Sequence, residues 1–301
     1  MDRASLLITS GTERADRISF RSLLIFAFIV LLSGSIPGVV TAGGDSVFFF
    51  SSDKVYTPLE AGVLESRIGF QKYTNNKFLE LDIGASADIA GVKSGKNIYS
   101  AGIDFFTFSN LRSEKNFKFP VDAIDYYFGI NLNMKSQISN RSDIQARLRI
   151  GHISSHLEDG HIYENTDTIF TPFVFSKEFI DLSAIYEYHP GKRFVLKGQG
   201  GMNLIFHSIH SEISPFSGQI GFEARYLLTD ILSLYASNEV TIAEVKSSVN
   251  LNESFEGGIR LGRLNSRGIS IFFSYYDGQD YRGQYYGDYL NTLGIGLKFN
   301  Y

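Results

Sequence analysis

Residues 289–301 read YLNTLGIGLKFNY. Counting back from Tyr301, Phe299, Leu297, Ile295 and Leu293 occupy every second position. Asn300, Lys298, Gly296, Gly294 and Thr292 fall between them. A β-strand points successive side chains to opposite faces, so this stretch has one apolar face and one small or polar face. In a soluble protein the pattern is half of a two-sheet sandwich. In a membrane barrel it is a strand with lipid outside and a polar lumen inside.

The alternation extends over the chain. Twelve segments carry it: 64–73, 78–89, 98–108, 122–134, 143–156, 179–188, 193–206, 216–228, 232–242, 254–263, 268–278 and 289–301. In the fourth, Ile124, Tyr126, Phe128, Ile130, Leu132 and Met134 form one unbroken apolar face. At roughly 10–14 residues these segments match the length a tilted membrane strand needs. Connections alternate in length. Turns at 189–192, 229–230 and 265–267 are short, whereas 109–121, 157–178, 207–215 and 279–288 are long. Short turns on one rim and long loops on the other predict an all-β fold, a transmembrane antiparallel up-and-down barrel of about 12 strands. A sandwich would carry more Lys and Glu on its outer faces than the Gly, Ser and Asn found here. Tyr73, Tyr99, Tyr126, Tyr188, Tyr226, Tyr275, Tyr289 and Tyr301 are placed for interfacial girdles.

The chain of 301 residues has no Cys and no Trp, with 17 Tyr and 26 Phe. Thiol chemistry and disulfides are excluded. A net charge of −4 gives no basic field for nucleic acid. The apolar run 23–32 follows Arg21 and is too short to span a bilayer. It ends in Gly34, Pro37 and the small-residue stretch Val40, Thr41, Ala42, which predicts a signal peptide over 1–42. The long stretch before Arg21 suggests a true start downstream of Met1. The expected domains are the signal peptide, an N-terminal periplasmic segment 43–60 and an outer-membrane barrel 61–301.

Register fixes which charges point inward. The acids are Glu65, Glu80, Asp82, Asp104, Asp125, Asp181, Glu187, Glu223, Glu239 and Glu256. The bases are Arg67, Arg147, Arg149, Arg193, Lys197, Arg225, Arg260 and Lys298. Near balance of sign points to ion pairs across a small lumen, hence a narrow channel or a closed structural or interaction barrel, not a wide porin.

Two constellations point to chemistry. His152 and Ser154 are two apart, so they share the outward face of one strand. Such a His-x-Ser pair resembles the base and nucleophile of outer-membrane phospholipase A and the lipid A deacylases. That resemblance implies a third residue about a dozen positions later, where Glu164 and Asn165 stand. A lipid hydrolase is therefore the alternative reading. His152, His156 and His161 with Glu158 and Asp159 match no standard zinc spacing and read as a surface cluster. No metal or cofactor is expected. The segment 91–97 reads as a periplasmic turn, and the Tyr-rich loop 275–289 as an adaptable contact surface for sugars or lipid headgroups.

The terminal strand ending in Tyr301 resembles the signal read by the bacterial barrel-insertion machinery. Segments 61–70 (AGVLESRIGF), 111–131 (LRSEKNFKFPVDAIDYYFGIN), 150–158 (IGHISSHLE) and 176–182 (SKEFIDL) resemble a family of bacterial envelope proteins of the β-barrel type whose domain has no assigned function. The resemblance implies an outer-membrane location and brings no ligand or catalytic residue. The expected partners are outer-membrane lipid, lipopolysaccharide and the insertion machinery.

Overall fold

A computed structural model describes residues 38–42, 45–51, 53–157, 173–264 and 266–300. Twelve strands close a single antiparallel barrel: β3 (Ile68–Tyr73), β4 (Phe78–Ser94), β5 (Asn97–Arg112), β6 (Val121–Ser139), β7 (Ser142–Leu157), β8 (Phe175–Tyr188), β9 (Phe194–Ser208), β10 (Ile213–Leu227), β11 (Leu232–Val245), β12 (Ser248–Gly262), β13 (Gly268–Gln279) and β14 (Tyr289–Asn300). Each pairs with its neighbour in sequence, and β14 closes on β3. Closure through β3, which pairs with Gly294–Phe299 of β14 and Leu79–Asp82 of β4, leaves neither terminal strand as an open edge. At the seam, Phe299, Leu297 and Ile295 oppose Ile68, Phe70 and Lys72.

Most strands run longer than their apolar alternation, β6 reaching 19 residues. Strand pairing beyond the apolar band shortens two connections. The β9–β10 loop spans only 209–212, with Pro215 absorbed at an irregularity in β10 where a missing N–H is tolerated. Between β11 and β12 only Lys246 and Ser247 remain, both with positive φ, as a two-residue hairpin turn requires. The segment 91–97 folds as the end of β4, a turn at Gly95 and Lys96, and the start of β5.

The first barrel strand begins at Ile68, not at 64. A short hairpin, β1 (Gly38–Ala42) and β2 (Asp45–Phe49), adds to β4, where Ser46 to Phe49 pair with Lys93 to Ala90. Cleavage after Ala42 would remove β1. The apolar run 23–32 lies outside the described residues. The chain then turns inward. Residues 53–67 have no regular strand and cross the barrel interior as a strap. Val55, Tyr56, Thr57, Leu59 and Ala61 are buried there. Of the segment 43–60, expected as periplasmic, the part from Val55 onward is therefore inside the barrel. The strap has no strand ladder, so wall side chains satisfy its backbone. Asp88 accepts from Val55 N, Gln145 from Thr57 N, Glu223 from Glu60 N and Ser237 from Ala61 N, at 2.8–3.2 Å.

Outward positions carry exposed apolar side chains around the barrel. Ile130, Ile220, Ile271 and Ile295 are 58, 62, 62 and 56% exposed. Lumenal positions mix charges with a few aromatics, and glycines make room for the rings. A Cβ on Gly296 would lie 2.4 Å from the Phe272 ring and 2.6 Å from the Phe70 carbonyl oxygen. Gly296→Val is therefore expected to destabilise the β14–β3 seam by about 1–3 kcal/mol. Unfolding in denaturant with the chain in detergent checks this; an unchanged midpoint would show that the seam tolerates the added bulk.

Candidate functional site

The inner strap and the wall neutralise each other. Glu60 sits among three cations, 2.7 Å from Arg225, 2.9 Å from Lys298 and 3.8 Å from Arg260. Glu65 takes Arg147 at 2.5 Å and Arg149 at 3.3 Å. Arg67 reverses the sign, pairing with Glu80 at 3.0 Å and with Asp82. Wall residues complete the network. Lys298 meets Glu256 at 2.6 Å, Arg225 meets Glu223 at 2.9 Å, Lys197 lies 3.9 Å from Glu223, and Arg149 meets Asp181 at 3.3 Å. Tyr56 lies under the Arg147 guanidinium, 4.2 Å from ring centre to Cζ.

The lumenal charges read from register fall as follows. Glu80, Asp82, Asp125, Arg147, Arg149, Lys197, Glu223, Arg225, Glu256, Arg260 and Lys298 are all buried inside the barrel. Asp104, Asp181, Glu187 and Glu239 are buried with them. Arg193 is not: it precedes β9, is exposed and reaches the Tyr226 hydroxyl at 3.4 Å. Glu65 and Arg67 point into the lumen from the strap rather than from a strand. Glu60 was not among the register-derived charges because it belongs to no alternating segment. Tyr73 also departs from its girdle position; it is buried inward with its hydroxyl on Glu80.

The long-loop mouth is occupied by a second insertion. Of the segment 275–289, expected as a contact surface, 275–279 and Tyr289 belong to β13 and β14, and 280–288 turn into the barrel and bury Asp280, Arg282 and Gln284. Gly283 N donates to Asp125 at 2.7 Å, and Gln284 donates to the carbonyls of Phe173 and Ser155 at 2.9 and 3.1 Å. Tyr281 bonds Glu80, which links this loop to the site of Arg67. At the rim, Tyr286 donates to Glu212 at 2.8 Å. Burial and that carboxylate push the Tyr286 phenol up to about 12.

On the outside, β7 and β8 place a polar row beside the apolar band. His152 Nδ1 donates to Glu178 Oε1 at 2.7 Å, across the strand pair that sets these residues opposite each other. His207 of β9 bonds the other oxygen of Glu178. Ser154 stands two positions from His152 on the same face, opposite Ser176. Tyr126 and Phe128 pack by His156 and His152, at 5.7 and 6.5 Å between ring centres. Glu164 and Asn165, with Glu158, Asp159 and His161, lie outside the described residues. The acid that the structure brings to His152 is Glu178, 26 positions away, and only strand register could have found it.

At the short-turn rim, Asp143, Glu187 and His189 bring ligand-type atoms within 4.8 Å of one another. Lys135 already meets Asp143 at 3.3 Å, and Glu187 accepts from Gln145 and from His189 at 3.2 and 2.8 Å.

A closed antiparallel barrel with an apolar exterior and a lumen filled by its own chain defines the class. Within it, the chain belongs to the family described as "Protein of unknown function (DUF1207)", whose model matches residues 98–301. The match spans β5–β14 and leaves out the strap, β3 and β4. The structure is similar to the translocator domain of the autotransporter NalP from Neisseria meningitidis, at 12% identity over 93% of this chain and 96% of that one, TM-score 0.39. It is similar to the β domain of the Bordetella autotransporter BrkA, at 10% identity over 79% and 100%, TM-score 0.44. It is also similar to a Pseudomonas aeruginosa FadL homologue, at 12% identity over 74% and 67%, TM-score 0.39. No curated protein matches the chain.

Glu65→Gln removes the charge that faces Arg147 and Arg149 while keeping the size of the side chain. Breaking a buried pair from one side costs about 3–5 kcal/mol. The expected outcome is a loss of that order in unfolding free energy. A loss below about 1 kcal/mol would mean that water, not the strap, neutralises the two arginines.

Proposed function

We propose that this chain is a bacterial outer-membrane barrel, closed at rest, with a structural or interaction role and no open pore. The observation that carries the reading is the combination of an apolar exterior and an occupied lumen. Isoleucine, leucine and phenylalanine side chains stand exposed on outward positions around the barrel. A monomeric soluble protein rarely exposes a contiguous apolar patch beyond a few hundred Å2. Acyl chains would cover this surface, with lipopolysaccharide at the long-loop rim. The signal over 1–42 would export the chain, and its terminal strand would engage the insertion machinery. Inside, the strap and the 280–288 loop occupy the two halves of the lumen, which disfavours the narrow-channel form of the reading.

A second reading, lipid hydrolysis, is favoured by the His152–Glu178 contact. A carboxylate accepts only, so Nδ1 carries the proton and Nε2 is left as the basic nitrogen. Ser154 Oγ would attack an acyl carbonyl carbon and pass its proton to His152 Nε2. The ester C–O bond would break, the departing alcohol would take that proton, and water would release the acid by the reverse sequence. Glu178 would hold the imidazole.

For the first reading, a band on a detergent gel that shifts on heating and the absence of steady conductance in planar bilayers are expected. Recovery of the folded chain from the soluble periplasm, or a large steady conductance, would overturn it. For the second, purified protein should release fatty acid from phospholipid or lipid A. Ser154→Ala should cut the rate about 1000-fold or more, and Glu178→Gln about 100-fold. Wild-type protein that leaves both lipids intact, with and without calcium, would end this reading.

A further inference from the structure

Between the strap and the inserted 280–288 loop lies a chamber of about 170 Å3. Its floor is Gly62, Val63 and Leu64 of the strap, and Tyr281 and Tyr286 of the loop reach it from above. One wall is apolar, formed by Phe175, Phe179, Ile205 and Ile213. From that wall projects Lys177, whose Nζ lies 6.0 Å from the centre of the Phe175 ring.

Lys177 differs from the other charges that line the chamber. Glu65 and Arg149 are paired with each other, Arg149 also with Asp181, and Asp280 with Arg282. Glu239, the lining acid with no cation within ion-pair distance, accepts from the Gln199 amide at 3.0 Å. Lys177 has the aromatic contact and no hydrogen bond or ion pair among the described residues; the acid that acts on it electrostatically, Asp125, lies beyond ion-pair distance and is engaged by Gly283 N. An ammonium among aromatic and aliphatic side chains is disfavoured unless an anion accompanies it. An apolar cavity of about 150 Å3 admits a molecule the size of benzene.

We propose that the chamber is a binding site for a small carboxylate with a compact apolar body, of the size of a single ring or a short alkyl chain. The carboxylate pairs with Lys177 and the body packs against Phe175, Phe179, Ile205 and Ile213. The site goes beyond the closed-barrel reading and does not depend on where the barrel resides, because the strap and the loop that bound it are part of the fold.

The probes are benzoate and its neutral counterpart benzyl alcohol, titrated calorimetrically into the full chain in detergent. Benzoate is expected to bind, and benzyl alcohol to bind about tenfold more weakly or worse, since a charge-assisted contact is lost. Lys177→Met keeps the length and apolar stem of the side chain. It should reduce benzoate affinity about tenfold or more and leave benzyl alcohol unchanged, with the heat-dependent gel shift retained as the check on folding. Ile213→Trp, which fills the chamber, should abolish both. No benzoate binding to the wild-type chain, equal benzoate affinity in Lys177→Met, or binding that survives Ile213→Trp would overturn the proposal. A failed gel shift with intact benzoate binding would strike the membrane reading alone.

Discussion

Charge neutrality inside a narrow barrel is the constraint from which the rest of the structure follows. Twelve strands enclose a lumen that receives every second side chain, and this sequence sends acids and bases there in near balance. Charges removed from bulk water stabilise a fold only when they are paired and hydrogen-bonded. The wall cannot pair all of them alone, because register fixes where each projects. Arg225, Arg260 and Lys298 converge on one region, and Arg147 with Arg149 on another. The strap supplies Glu60 to the first and Glu65 to the second. Where the wall instead presents Glu80 and Asp82, the strap supplies Arg67. Three strap residues thus match three wall patches in sign as well as position.

The same constraint explains why the strap is neither strand nor helix. A strand would need a partner ladder, and the strap crosses the interior, away from the edges of the wall strands, which pair with one another and with β2. Its amides turn to Asp88, Gln145, Glu223 and Ser237 instead. These wall groups therefore hold backbone as well as balance charge. Lumenal polar residues thus coordinate the backbone of a peptide that runs through the barrel.

Legibility in the sequence follows from period. Wherever apolar side chains alternate, the strands, their faces and the closure were readable, because a one-residue slip would turn every apolar side chain inward. Leu148 and Ile150 outward with Arg147 and Arg149 inward is a case where the two faces leave no choice. The strap was not readable. Residues 53–67 have no period, and Glu60 gains meaning only from Lys298, 238 positions away, and from Arg225 and Arg260. Arg193 misled because it lies one residue before β9 begins, where alternation no longer fixes direction. Tyr73 misled because an aromatic near a strand end fits a girdle as well as a lumen, and only Glu80 beside it decides. Glu178 is not legible as the partner of His152 because it lies 26 positions away, beyond the loop that follows β7. Pairing of β7 with β8 delivers it across the sheet.

The two insertions hold the lumen by different chemistry, and that difference orders their removal. The strap is fixed by carboxylates and a guanidinium against opposite charges, so lifting any one of them strands a buried charge on the wall. The 280–288 loop carries its own ion pair, Arg282 with Asp280, and meets the wall through Gly283 N, the Gln284 amide and the Tyr281 hydroxyl. Gly283 is held closely: a Cβ there would lie 2.4 Å from the Phe175 ring and 2.6 Å from Ser155 Cβ. Removing the loop leaves wall carbonyls and the Asp125 carboxylate to water, while Glu80 keeps Arg67, and it takes its ion pair with it. Contacts of that kind contribute about 0.5–1.5 kcal/mol each between neutral groups and about 1.5–3 kcal/mol where the acceptor is a carboxylate, as at Asp125 and Glu80, against several for a stranded charge. Of the two, the 280–288 loop is the one whose removal costs less, because Glu80 keeps its pair with Arg67 when Tyr281 leaves.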